Sequence, residues 1–368
     1  MNILFLSRWY PDPPDNGSKI RVLNLLRTLC KEHTVTLISF VNPDERVCPQ
    51  ILPDPRPREI LLSPYREFDR RSGRALLGFL SAKPRWIVDT HSPEMASLIR
   101  RTVDKGRFDL VIASQTEMAS YYRCFDGIPA IFEEVELGSF HPPDPGNRYL
   151  PHNIRIRLRW FKHRRFLADL LRHFRSCTVV SYIERAMLAE AVPGYSSVHV
   201  IPNSIDVESY RARPPVERVR NSMIFAGSLR YSANLDAMTW FLNHVYPLIL
   251  SRQKGVRLTI TGDPGSAKLP EMPYVVQTGR VENIRELVSS ASVSIAPIRT
   301  GGGTRLKILE AFALGTPVVA TTKAAEGLDV QNGTHLLLAD TPEDFAGSVI
   351  HLLQQPDRAV KIAENALD

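Results

Sequence analysis

Nowhere in this 368-residue chain do apolar residues run for the ~20 positions that a bilayer-spanning helix needs, which excludes a transmembrane segment. The opening Met1-Asn2-Ile3-Leu4-Phe5-Leu6-Ser7 is too short and too uncharged for a signal peptide and reads as a first strand. Cysteine is scarce. Cys30, Cys48, Cys124 and Cys177 stand apart with no paired spacing, as expected of reduced thiols in a cytoplasmic protein. Neither they nor the ten histidines show ligand spacing, so no structural metal is expected. The first strand is followed by Arg8-Trp9-Tyr10-Pro11-Asp12 and not by Gly-x-Gly-x-x-Gly, which argues against a nicotinamide-dependent oxidoreductase. No helix-turn-helix, RNA-binding signature or internal repeat is present, so nucleic acid is not an expected partner.

What is present is an ordinary globular composition, 43% hydrophobic and 23% charged, at a length that fits two domains. The net charge of +7 is unevenly spread. Between Ile154 and Arg175 lie Arg155, Arg157, Arg159, Lys162, Arg164, Arg165, Arg172 and Arg175 against the single acid Asp169. Leu158, Phe161, Leu167, Leu170, Leu171 and Phe174 interleave at helical spacing. Two readings stay open: the solvated outer face of a core helix, or a helix that meets an anionic membrane surface.

Apolar strands alternate with amphipathic helices in two series, which predicts an α/β fold with parallel sheets. The first series has strands at Asn2–Leu6, Thr34–Phe40, Asp109–Ala113, Ala130–Phe132, Thr178–Val180 and Ser197–Ile201. Its helices include Ser18–Cys30, Pro93–Val103 and Glu184–Ala191. Pro49 to Arg71, rich in Pro and Arg, reads as loop or edge structure. The second series has strands Met223–Phe225, Arg257–Thr261, Tyr274–Gln277, Val293–Ala296, Pro317–Ala320 and His335–Ala339. Its helices are Ala233–Leu250, Glu282–Ser290, Leu306–Leu314 and Pro342–Gln355. The expected division is a first domain over 1–205, a linker over 206–220 and a second domain over 221–368.

The densest signal is Gly301-Gly302-Gly303-Thr304-Arg305-Leu306-Lys307-Ile308-Leu309-Glu310, running on through Gly315-Thr316-Pro317-Val318-Val319-Ala320. Three glycines stop an apolar strand at its carboxyl end and open a helix, whose unpaired N–H groups and dipole suit a phosphate. Arg305 and Lys307 add cations, and Glu310, about a turn further in, could take a ribose hydroxyl pair.

With Trp9-Tyr10-Pro11, Gly17-Ser18-Lys19-Ile20-Arg21, Ile201-Pro202-Asn203-Ser204-Ile205-Asp206 and Phe225-Ala226-Gly227-Ser228-Leu229, this string resembles glycosyltransferase family 4, over nearly the whole chain. These are retaining enzymes of the GT-B fold that use nucleotide sugars. The resemblance implies two Rossmann-like domains facing each other across a cleft. It implies a donor site of Gly17, Gly227, Arg280, Val281, Gly303, Thr304, Arg305, Leu306, Lys307 and Glu310. Arg305 and Lys307 would cradle the diphosphate, Glu310 would bind the ribose, and Gly279-Arg280-Val281 would hold the base through its main chain. No metal or other cofactor is expected, because cations and helix dipoles neutralise the leaving diphosphate, and no usable Asp-x-Asp stands at a strand end. The implied activity moves a sugar onto a lipid-linked or polysaccharide acceptor at the cytoplasmic face of the membrane, where the membrane reading of 154–175, if it holds, would supply the contact.

Three departures qualify the match. The family's first motif glutamate falls on Gly302, which keeps open a non-catalytic nucleotide-sugar-binding partner of another transferase. Glu136 in Glu133-Glu134-Val135-Glu136 best matches the final Glu of a pattern found in relatives, and is the candidate catalytic carboxylate beside Arg305 and Lys307. An acidic strand-to-loop turn is the other reading. The chain also ends in a helical segment where relatives usually continue with another helix.

Overall fold

Strand β1 (Asn2–Ser7) sends Ile3 and Phe5 to one face and Leu4 and Leu6 to the other, all at 1% exposure or less. A strand apolar on both faces has to be covered on both, which marks a parallel sheet flanked by helices. The computed structural model describes residues 1–42, 52, 54–135, 137, 150–211, 216–265, 268–301 and 306–368. They form two compact units, Met1–Asn203 and Ser204–Asp368. Among the described residues no helix is long and apolar enough to cross a membrane.

The first unit continues through α1 (Gly17–Glu32), β2 (Thr34–Val41), β3 (Glu59–Pro64), α2 (Gly73–Leu77), α3 (Arg85–Thr90) and α4 (Pro93–Lys105). Then come β4 (Leu110–Ser114), α5 (Gln115–Ala119), β5 (Ala130–Glu133), α6 (Leu150–Leu171), β6 (Ser176–Val179), α7 (Tyr182–Ala191) and β7 (Val198–Val200). The strands lie in the order β3-β2-β1-β4-β5-β6-β7, all parallel. Ile3, Phe5, Val35, Leu37 and Ile112 pack against Val22, Leu23 and Leu26 of α1. Leu4, Leu6, Ile38, Val111 and Phe132 share the opposite core with Ile99 of α4, Leu167 and Leu170 of α6, and Leu188 of α7.

The second unit holds α8 (Val207–Arg211), β8 (Val219–Ala226), α9 (Ser232–Trp240), α10 (Tyr246–Arg252), β9 (Arg257–Thr261), β10 (Val275–Gly279) and α11 (Ile284–Ser290). After these come β11 (Ala291–Ala296), α12 (Leu306–Ala313), β12 (Val318–Ala320), β13 (Leu337–Leu338), α13 (Pro342–Gln354) and α14 (Pro356–Leu367). Its parallel strands run β10-β9-β8-β11-β12-β13. Each unit winds outward from its first strand through two more, then returns to that strand's other side. This is the doubly wound, Rossmann-like pattern, and it leaves a switch point at the carboxyl edge of each sheet.

Three elements differ from expectation, and one open reading is decided. The helix expected over Ala233–Leu250 is interrupted by a π turn at Phe241–Val245, where the Tyr246 N–H reaches Phe241 O. Pro247 explains the widening, since its ring would clash with the carbonyl four residues earlier. The open reading is the Pro- and Arg-rich stretch, expected as loop or edge structure, which holds the edge strand β3 paired along its length with β2. The basic helix starts and stops about four residues earlier than its sequence pattern, ending at Leu171. The expected linker 206–220 carries α8 and the start of β8, and Tyr210 within it is buried.

Phe5, fully buried on the α1 face, should be among the costlier truncations: Phe5→Ala is expected to lose about 3–5 kcal/mol in a urea-unfolding series, the cavity term included.

Candidate active site

In the second unit the switch point falls between β8 and β11. Gly227 directly follows β8, and Lys307 is the second residue of α12, the helix that comes after β11 in the chain. The two converge: a Cβ built on Gly227 would lie 2.8 Å from Lys307 Nζ and 2.8 Å from Asn234 Nδ2. Lys307 Nζ donates to Asn234 Oδ1 at 2.9 Å and sits 4.1 Å from the centre of the Phe225 ring. Asn234 in turn donates to Ser228 O at 2.8 Å, which fixes the amide. The ammonium is thereby held over backbone that carries no side chain, the arrangement a diphosphate needs for close approach.

The neighbouring strand ends are tied to this point. Gly227 N–H donates to Thr261 O (2.9 Å), Leu229 N–H to Asp263 O (2.8 Å) and Gly262 N–H to Gly279 O (2.9 Å). Gly262 has φ +120°, and a Cβ there would meet Gly227 C and O at 2.6 Å. Only glycine serves in that position. Asp263, next in the chain, pairs with Arg230 at 2.9 Å and with Arg280 at 3.6 Å. The Gly265 N–H holds its carboxyl below the usual range, with the two guanidinium groups acting in the same direction. Lys307, Arg230 and Arg280 thus place three cations at the carboxyl ends of this sheet.

Glu310 lies a turn beyond Lys307. Its Oε1 accepts from the Tyr210 hydroxyl at 2.7 Å, and the Arg285 guanidinium stacks 3.8 Å over the Tyr210 ring while donating to Ser209 O at 3.0 Å. Burial raises the Glu310 pKa, opposed by the Tyr210 hydrogen bond and by the Arg285 and Lys307 cations. Helix α8 therefore orients the carboxylate, a role invisible from spacing on α12 alone.

In the first unit Gly17 opens α1, capped by Asn16, whose side chain accepts from the Lys19 N–H at 3.0 Å. Two turns of α1 carry buried cations: Lys19, paired with Asp15 at 3.1 Å, and Arg21. Arg21 Nε donates to Glu133 Oε1 at 2.7 Å, and its Nη1 to Ile201 O (2.9 Å) and Asn203 Oδ1 (3.0 Å). Ser114 Oγ completes Glu133 by donating to Oε2 at 2.6 Å. Removing either partner of such a buried pair leaves an uncompensated charge, worth about 3–5 kcal/mol. Beside it, Gln115 and Glu134 follow β4 and β5 at φ 68° and 58°, both left-handed without being glycine. Gln115 Nε2 donates to Glu134 Oε2 (3.0 Å) and to Ser18 Oγ (3.2 Å), and the Glu134 N–H donates to Thr178 Oγ1 (2.9 Å). Strained strand ends of this kind cluster at functional sites.

Of the residues read from the sequence, Gly227, Lys307 and Glu310 gather at one edge, with Leu306 buried as the first residue of α12. Arg280 is exposed and joins them through Asp263, and Val281 is half-buried beyond β10. Gly17 stands in the first unit. Gly303, Thr304, Arg305 and Glu136 lie outside the described residues. The acidic turn divides: Glu133 is a buried ion-pair partner and Glu134 a left-handed hydrogen-bond acceptor. Asn234, Tyr210, Arg285 and Gln115 have no role assigned from the sequence. Asn234 carries a faint signal in its place after Gly227; the others carry none.

A doubly wound parallel unit repeated twice is the architecture of α/β proteins of the GT-B class. The glycosyltransferase family 4 model matches residues 15–209, more than half of the chain, and the glycosyl transferases group 1 model matches 220–355. The chain belongs to glycosyltransferase family 4. Among solved structures it is similar to HepE of Anabaena, in complex with UDP and glucose, at TM-score 0.64 and 15% identity, covering 100% of this chain and 94% of that one. It is also similar to sucrose-phosphate synthase of Thermosynechococcus elongatus, at TM-score 0.67 and 15% identity, covering 100% and 93%. A curated relative, an uncharacterized 44.6 kDa protein in the cps region of Klebsiella pneumoniae, is 25% identical over 156 residues, 39% of this chain. The match spans 40% of that relative's length.

Gly262→Ala should destabilise the second unit by about 1–3 kcal/mol through its backbone conformation and displace the Gly227 loop. Thermal melting should register the first effect, and faster amide hydrogen exchange at Gly227 and Leu229 the second.

Proposed function

We propose that this protein is a retaining glycosyltransferase that moves a sugar from a nucleotide-sugar donor to a lipid-linked or polysaccharide acceptor. The observation that carries the reading is the meeting of Lys307 and Gly227 at the switch point of the second unit, where ammonium, bare backbone and a helix start converge. A diphosphate placed there would have its departing charge met by Lys307, held by Asn234 before the reaction starts, and by Arg305. Glu310, held by Tyr210, would accept from the ribose hydroxyls, and the main chain around Arg280 and Val281 would hold the base. Glu136 of the first unit is assigned to the reacting sugar or acceptor.

Two similarities support the donor class: HepE has been crystallised with UDP and glucose, and sucrose-phosphate synthase shares the fold. The cps-region relative supports an acceptor in cell-envelope or exopolysaccharide synthesis. Such acceptors are held at a membrane, so the protein would work peripherally at its cytoplasmic face. In this reading catalysis needs no metal, because Lys307, Arg305 and the helix dipole would neutralise the departing diphosphate.

Lys307→Ala should slow turnover by tenfold or more, and Glu310→Ala should weaken donor affinity by tenfold or more, as expected for charged hydrogen bonds of about 1.5–3 kcal/mol. Steady-state kinetics on folded variants would check both, and unchanged values would sink the site. Donor binding without nucleotide release, across a panel of acceptors, would point to the non-catalytic binding partner instead.

Activity should survive excess EDTA. Complete loss, restored by magnesium or manganese, would show that a metal takes part.

A further inference from the structure

The basic helix is two helices in function. From Phe166 onward its apolar residues, Phe166, Leu167, Leu170 and Leu171, are buried in the first unit's core. Toward its start, Ile154, Leu158 and Phe161 recur at i, i+4 and i+7, one face of a helix, and Leu158 and Phe161 are 62% and 61% exposed. A core helix has no reason to leave that stripe in water.

A second exposed apolar element stands against it. Helices α2 and α3 form a hairpin whose turn presents Leu76, Leu77, Phe79 and Leu80, the last at 90% exposure. The turn is built firmly. Arg85 Nε donates to Ala75 O at 2.8 Å, Arg74 to His91 O at 2.7 Å, and Asp89 accepts from the Asp69 N–H at 2.9 Å and from the Ser72 hydroxyl. A Cβ on Gly78 would meet Arg85 Cα at 2.9 Å, so the two helices touch there. Lys162 Nζ donates to Gly78 O at 2.7 Å, which fastens the hairpin to α6 between Leu77 and Phe79. Arg85 stacks 3.9 Å over the Phe79 ring.

The charge around this patch has one sign. Residues 70–85 contain Arg70, Arg71, Arg74, Lys83 and Arg85, residues 154–165 contain Arg155, Arg157, Arg159, Lys162, Arg164 and Arg165, and neither segment contains an acid. Apart from Arg155, whose side chain is not described, none of these cations forms an ion pair among the described residues. A protein partner reads charge in directional pairs, whereas an anionic headgroup layer accepts a ring of unpaired cations around an apolar centre in any orientation.

We infer that the Leu76–Leu80 turn and the Ile154–Phe161 stripe form a single membrane-docking surface, in which the apolar side chains enter the interface of an anionic bilayer and the surrounding arginines and lysines engage its phosphates. This deepens the proposed function, resting on an acceptor held at a membrane, and adds the inserting element. Both segments follow strands of the first unit's parallel sheet, β3 and β5, and so leave from its carboxyl edge. Docking through them turns that edge, with Gln115 and Glu134, toward the lipid.

The test uses the whole chain and vesicles of phosphatidylcholine with increasing phosphatidylglycerol. Wild-type protein should sediment with phosphatidylglycerol vesicles, less so as salt rises. Leu77→Ser/Leu80→Ser should lower partitioning at least tenfold at every composition, and Arg157→Glu/Arg164→Glu/Arg165→Glu should remove the dependence on phosphatidylglycerol. Both variants should keep the thermal shift produced by UDP, which shows that they fold. Leu80→Trp should gain fluorescence that shallow brominated lipid quenches. The proposal is overturned if the serine variant sediments like wild type, or if the fluorescence gained by Leu80→Trp escapes quenching while the protein is bound. A wild-type dimer dissolved by the serine variant would likewise overturn it, assigning the patch to a second copy. Vesicle binding without sugar transfer would leave this surface standing and remove the transferase reading; transfer to a soluble acceptor without vesicle binding would do the reverse.

Discussion

Every strand in both sheets is parallel to its neighbours, and that single constraint arranges the rest of the molecule. A parallel strand can be joined to the next only by a crossover, so helices come to cover both faces and the strands become apolar throughout. Chemistry is thereby driven off the faces and onto the edge where the strands end. Lys307, Arg230, Arg280, Arg21, Gln115 and Glu134 all stand on segments that leave a strand or start the helix after one.

At that edge the two units solve different electrostatic problems. In the first, cations are buried and answered: Arg21 is met by Glu133, Ile201 and Asn203, and Lys19 by Asp15. Such pairs hold geometry at a high desolvation cost and contribute little net stability. In the second, Arg230 and Arg280 are largely exposed and share Asp263, while Lys307 leans on an amide and an aromatic ring.

Much of this is legible in the sequence because period and composition report burial. The strand Arg257–Thr261 can be read to the residue, and the glycine string places Lys307 and Glu310 on one helix face. What escapes is contact between distant segments. Tyr210 reaches Glu310 across a hundred positions, and Arg21 reaches Glu133 across more than that. No local spacing encodes either. The left-handed backbone of Gln115 and Glu134 is hidden for another reason: neither residue type advertises that conformation as glycine does. The basic helix is half legible, since eight cations mark its polarity but say nothing of where the core stops and solvent begins.

The close approach of Gly227 and Gly262 has a consequence for how such a protein can diversify. Gly262 abuts the Gly227 backbone and has no room for a side chain, so the Gly227 main chain that lies as a floor beneath Lys307, between the Phe225 ring and the Asn234 amide, keeps its path. Variation is confined to the rim, where Arg230, Arg280 and Val281 stand partly or largely in solvent. Two chains sharing this floor can therefore differ at the rim without any change to the sheet, and a lineage can vary what that rim meets at little cost to its fold.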